Sequence, residues 1–221
     1  FNFSFFRIIS INVFNIWRNQ QYSFSSFLGE NTVGNFLYIN TYLNQRHLLF
    51  SLAVSLIFIL VTYVLAQRKV TYKLWITLGA ILSLMYLWNV SIFVILILVL
   101  TCFLAINKRK KELLFWFTPV LIFGFVQAFP FINSTDSIIK FSPGYLIHSY
   151  FSIPRFIAFW LLNLGISILT ITGGFIVSNK LQKKLFIAVI PVFVLPNVFQ
   201  FTQDMFDNHK FFNFWYMIMC F

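Results

Sequence analysis

The nineteen residues from Leu48 to Ala66 carry no charged side chain. A helix rises about 1.5 Å per residue and a bilayer's hydrocarbon core is about 30 Å thick, so one run of this length matches one crossing. Further along, Leu74 to Ile106 is a second uncharged stretch, 33 residues long. That is too long for one ordinary span, and Trp88-Asn89 interrupts it. We read two short helices, 74–88 and 90–106, turning at that break; the alternative is one long tilted helix. Further apolar runs cover 113–129, 155–177 and 185–201, and another begins at 211. Only 10% of the residues are charged, against about a quarter in soluble domains. The fold class expected is an all-α polytopic membrane protein of about seven transmembrane segments (48–66, 74–88, 90–106, 113–129, 155–177, 185–201 and a partial 211–221).

Ahead of these runs, residues 1–47 mix aromatic and polar side chains and read as an extracytoplasmic or interfacial segment, with 48–221 as the helical bundle. Ile8 to Trp17 could lie as an amphipathic helix in the headgroup region. The chain begins without Met and stops at Phe221 inside an apolar run, so we expect an internal piece of a longer polytopic protein. Cys102 and Cys220 both fall in apolar runs without metal-ligand spacing and read as small buried hydrophobes. Pro119, Pro191 and Pro196 lie within spans. Such breakers are tolerated where neighbouring helices meet the freed backbone groups. After Pro196 we expect the helix to fray into the polar stretch that follows.

The net charge of +11 could suggest a nucleic-acid partner. The cations instead cluster in short gaps between apolar runs, which topology explains better, and no nucleic-acid partner is expected. Gaps 67–73, 107–112 and 179–184 hold ten of the sixteen Lys and Arg. Positive residues favour the cytoplasmic side of short loops. The three gaps share a side only if 74–106 is a hairpin, which favours the two-helix reading. The opposite face then holds segments 1–47, 130–153 and 202–210, with four of the five acids: Glu30, Asp136, Asp204 and Asp207. The expected location is a bacterial plasma membrane with the basic loops cytoplasmic.

Two polar knots sit on that outer face. One is Asn44-Gln45-Arg46-His47, at the mouth of the first span. The other is Gln203-Asp204-Met205-Phe206-Asp207-Asn208-His209-Lys210, read as a loop before the last apolar run. Carboxylates spaced as Asp204 and Asp207 can hold a divalent cation or act as general base; His and Lys can bind phosphate oxygens. A divalent cation is thus a candidate cofactor, although no particular metal ligand set can be named. The plainer readings are a solvated loop for the second knot and headgroup anchoring for Arg46 and His47.

These two knots, with the short-helix pair and its polar break between them, make the chain similar to multi-span bacterial proteins of the GT-C glycosyltransferase class. That group includes protein mannosyltransferase-like and arabinosyltransferase-like enzymes. The resemblance implies sugar transfer from a polyprenyl-phosphate donor to an acceptor at the extracytoplasmic face, with membrane lipid and the donor as partners. It also implies catalytic acids in an early outer loop, and no residue here matches that motif. The remaining roles would be donor binding: Arg46 and Lys210 on the lipid phosphate, assisted by His47 and His209. Asp204, Asp207, Asn208 and Gln45 would bind the sugar or position the cations. Two other classes stay open. One is a transporter, whose path could use Asn89, Gln127, Asn163 and Asn197. The other is a structural subunit of a membrane complex.

Overall fold

The computed structural model describes residues 46–129, 139–146, 151–201 and 205–220. Among them are eight α-helices: α1 (Arg46–Leu65), α2 (Tyr72–Ser83), α3 (Val90–Ile106), α4 (Lys110–Ala128), α5 (Ile153–Leu164), α6 (Ser167–Val177), α7 (Lys180–Val198) and α8 (Met205–Cys220). A 3-10 turn, Leu84–Leu87, follows α2. Two residue pairs, β1 (Lys140–Phe141) and β2 (Phe199–Gln200), form an antiparallel bridge that matches Lys140 with Gln200 and Phe141 with Phe199. The described residues are all-α apart from this clip.

The break at Asn89 reverses the chain. Asn89 adopts an extended conformation and its Oδ1 accepts from Ile92 N at 3.1 Å, an N-cap that starts α3. Helix directions then follow from the contacts. Phe50 meets Trp88, Tyr63 stacks on Phe103, and Arg109 Nη2 donates to Ala66 O at 2.7 Å, so α1 and α3 run parallel. Tyr72 packs against Phe115, and Gln127 Nε2 donates to Ser83 O at 3.3 Å, so α2 runs parallel to α4. Since α4 turns back on α3 through residues 107–109, α2 and α3 are antiparallel. The stretch 74–106 is a hairpin of two elements rather than one long helix.

Gly79 lets α2 approach α4 closely. A Cβ there would stand 2.2 Å from Trp116 O and 2.8 Å from Pro119 Cγ, closer than any side chain could be accommodated without a shift of backbone. The rest of the bundle keeps the alternation. Phe175 meets Phe186 and Trp160 meets Phe193, which sets α5 and α6 antiparallel to α7. Phe201 stacks on Phe211, and Phe193 touches Phe212 and Trp215, so α8 reverses again. The core follows α3, whose Ile92, Ile95, Leu96, Val99 and Leu100 are fully enclosed; α1, α4, α7 and α8 pack around it.

Three expectations are corrected in detail. The run 155–177 is two helices, because Gly165 takes φ +52° and ends α5. The chain after Pro196 does not fray: α7 continues to Val198 and passes into the bridge with Lys140–Phe141. Residues 205–210 are not loop, since α8 begins at Met205. Pro154 does occupy the first turn of α5, with Ser152 as its N-cap, as its fixed φ favours. Among the described residues, two helices contain windows long and apolar enough to cross a membrane, Leu48–Leu65 and Lys180–Val198; Tyr72–Leu87, Val90–Ile106 and Ser167–Val177 are shorter apolar helices.

Helix α1 buries Leu48, Leu52, Phe58 and Ile59 in the core, but small polar side chains are buried beside them while large apolar ones face outward. Ser51, Ser55 and Thr62 are buried, while Phe50, Ile57 and Leu60 are exposed, Leu60 by 62%. Helix α6 buries none of its residues, although Leu169, Ile176 and Val177 are all large and apolar. The outer face of α4 shows Leu121, Ile122, Phe125 and Val126 in the same way.

Candidate functional site

The helix directions sort the bundle into two ends. At one end the basic gaps converge: Arg109 reaches Ala66 O at 2.7 Å, and Lys184 Nζ donates to Asn107 Oδ1 at 2.9 Å. The opposite, distal end gathers the first turn of α1, the Trp88-Asn89 turn, the β1–β2 clip and the first turns of α8. The described residues of both polar knots, 46–47 and 205–210, therefore belong to one end. Both helices that carry them pack on α3.

What builds the distal end is the C-terminus of α7. A helix leaves its last carbonyls without intrahelical donors, and here an incoming loop supplies them. Tyr145 OH donates to Pro196 O at 2.9 Å, Gly144 N to Asn197 O at 3.1 Å, and Ser142 N to Val198 O at 2.9 Å. Gly144 sits at φ +77° and a Cβ there would collide with the Phe151 ring, so the turn requires glycine. Asn197 takes part twice over. The Asn197 side chain accepts from Trp160 Nε1 at 3.0 Å and donates to Phe193 O at 2.7 Å, tying α5 to α7.

Asn208, in the first turn of α8, locks this arrangement. It is fully buried. Its Oδ1 accepts from Phe201 N at 3.2 Å, and its Nδ2 donates to Phe199 O at 3.0 Å and to the Tyr145 hydroxyl. One side chain thus joins α8, the α7–α8 connection and the loop before α5. Burial pushes the Tyr145 phenol up to about 12, with the Asn208 hydrogen bond pulling in the other direction. The phenol therefore stays a neutral donor to Pro196 O throughout the physiological range.

The predicted site residues fall into three groups. Gln45 and Asp204 lie outside the described residues. Arg46 and His47 occupy the first turn of α1, and Asp207 and His209 the first turns of α8; the structure describes their backbone positions only. Lys210 is half-buried and engaged within the fold. Asn208 has its amide fully used in holding backbone together, so the role visible for it is architectural. Among the described residues, no three His, Cys, Asp or Glu side chains gather in a way that could hold a metal ion.

The four polar side chains considered for a substrate path are also engaged. Asn89 caps α3, Asn197 joins Trp160, Asn163 Nδ2 donates to Phe159 O, and Gln127 Nε2 bonds Ser83 O and Phe123 O. The sequence reading missed Tyr145, Trp160 and the double use of Asn197. The Ser142-Pro143-Gly144 turn and the Pro196-Asn197 pair were its only local signals. No family model, curated protein or solved structure matches this chain.

Proposed function

We propose that the chain is the membrane-embedded bundle of a lipid-linked sugar transferase, with the distal end outside and the basic end cytoplasmic. The observation that carries the membrane part is the outward apolar face of α1, with Ile57 and Leu60 exposed while Ser51, Ser55 and Thr62 are packed inside. In water, exposed apolar faces of this extent on α1, α4 and α6 would drive association; in hydrocarbon they are the favourable surface. On this reading α5 and α6 form one broken span, and seven spans alternate in direction through α1, α2, α3, α4, α5–α6, α7 and α8. Convergence of the ten basic-gap cations at one end supports the orientation. A reporter fused after Lys111 should be cytoplasmic; extracytoplasmic activity there would overturn the topology.

The donor site on this reading is the distal end. Arg46 and His47 begin α1, and His209 and Lys210 lie near the start of α8. Helix N-termini favour anions, so cations in these turns stand where a lipid phosphate would add to an existing attraction. Asp207 would then contact the sugar or orient Lys210, and Asn208 would hold the floor beneath them. Engagement of Asn89, Gln127, Asn163 and Asn197 within the bundle favours this reading over a transport path. The test is binding of a polyprenyl-phosphate sugar to the full-length protein. Arg46→Ala and Lys210→Ala should each weaken it; unchanged binding in both would refute the donor site.

A further inference from the structure

Among the described residues, the cations of the basic end outnumber the acids there. Among the described residues the one ion pair there is Arg109 Nη1 with Glu112 Oε1, at 2.9 Å. Lys184 is held by the neutral Asn107, and Lys183 lies over the Phe175 ring. Arg68, Lys69, Lys73, Lys110, Lys111 and Lys180 are exposed and face no carboxylate within salt-bridge distance. The hydrogen bonds from Arg109 to Ala66 and from Lys184 to Asn107 draw all three basic gaps together, so their like charges reinforce one another.

Backbone polarity adds to this imbalance. Helices α2, α4 and α7 all begin at the basic end, presenting the positive ends of their dipoles there. Lys73 is the second residue of α2, Lys110 and Lys111 open α4, and Lys180 opens α7. Cations in the first turn of a helix are opposed by its dipole. No acid occupies the first turn of α2 or α7, and neither α2 nor α4 has a side-chain N-cap hydrogen bond. Helix α4 does have Glu112 in its first turn and α7 is capped by Asn179, yet the surrounding cations outnumber the negative charge at all three starts. Exposed apolar side chains lie next to this surface, including Tyr72 and Leu74 on α2 and Leu114 on α4. A partner that is anionic at its head and apolar below would meet both features.

We propose that the basic end is a binding surface for anionic phospholipid, with headgroup phosphates seated over the starts of α2 and α4. This rests on the membrane reading above, and concerns the opposite end from the donor site. A cation close to an anionic bilayer surface contributes roughly a fivefold factor in lipid affinity. The experiment uses the full-length protein reconstituted in phosphatidylcholine vesicles with spin-labelled phosphatidylglycerol or spin-labelled phosphatidylcholine. The motionally restricted lipid fraction gives the relative affinity. We expect phosphatidylglycerol to be preferred about fivefold or more. The preference should collapse in Lys69→Gln/Lys110→Gln/Lys111→Gln and fall partway in Lys73→Gln/Lys180→Gln. It should persist in the distal-end control Lys140→Gln. Equal affinity for the two lipids, or a preference unaltered in both basic-end variants, overturns the proposal. A restricted fraction that is absent with either lipid refutes the membrane reading itself. Competition by added inorganic phosphate as strong as that by anionic lipid would show a free-anion site and also overturn it.

Discussion

Replacing Asn208 by alanine removes three hydrogen bonds at once. Phe201 N–H loses its acceptor, Phe199 C=O loses its donor, and the Tyr145 hydroxyl loses the amide that holds it. Leaving a buried backbone group without a partner costs about 1–3 kcal/mol. Phe199 and Phe201 are half-buried, so water reaches part of what is exposed, and the low end of that range applies to each. The expected loss is about 2 kcal/mol from these two groups, with Tyr145 a smaller addition. Asn208→Asp should be no better. It keeps an acceptor for Phe201 N but sets a second oxygen against Phe199 O. Asn163→Ala is the control, because the Asn163 amide bonds only within its own helix, to Phe159 O; its loss should be under about 0.5 kcal/mol. Denaturant titration in mixed micelles, followed by tryptophan fluorescence, measures all three variants. If Asn208→Ala cost no more than Asn163→Ala, Asn208 would not be the lock described above. Pairing Asn208→Ala with Tyr145→Phe in a double-mutant cycle should show coupling, since each removes the same contact.

Gly79→Val should destabilise the bundle by about 1–3 kcal/mol or more, through overpacking against Trp116 O and Pro119, read in the same titration. The Tyr145 phenol gives a pH signature. Its folded pKa of about 12 lies above the ordinary value of 10. Its contribution is therefore complete below pH 10 and is lost as pH rises towards about 12; Tyr145→Phe should remove that part of the alkaline decline in a stability–pH series. Asn179→Ala breaks the capping box in which Asn179 Oδ1 accepts from Leu181 N and Gln182 N, and Gln182 Oε1 accepts from Asn179 N. It should cost about 1 kcal/mol in thermal or chemical denaturation.

The parts legible in the sequence are those governed by composition over a long window. Leu48 to Ala66 was legible as a helix because an uncharged, mostly apolar run of nineteen residues is too long for one strand. The reversal at Asn89 was readable because a polar side chain interrupting an apolar run has few uses other than a cap, and the placement of three basic gaps required a turn there. The Gly165 break was hidden: glycine is common in apolar helices, and only its φ of +52° separates a packing residue from a helix end. The distal clamp was hidden for another reason. Tyr145, Asn197 and Asn208 are brought together by tertiary contacts between segments far apart in the chain, and no local pattern links a tyrosine after a Ser-Pro-Gly turn to an asparagine near a helix start. Reading residues 203–210 as loop followed their polarity. Yet α8 carries residues 205–210 as its first turns, and the amide of Asn208 is turned inward onto the backbone of Phe199 and Phe201.

The break between α5 and α6 has a mechanical consequence. Gly165 N still bonds Leu161 O at 2.9 Å, but the next turn relies on a longer bond from Ile168 N to Gly165 O, at 3.4 Å. Each half is anchored separately, Trp160 to Asn197 on one side of the joint and Ser167 to Tyr216 on the other. A displacement of the distal end can therefore bend the chain at Gly165 instead of travelling along a rigid rod to the basic end. This joint lies where α5 and α6 meet, and bending there leaves the anchors on both sides in place.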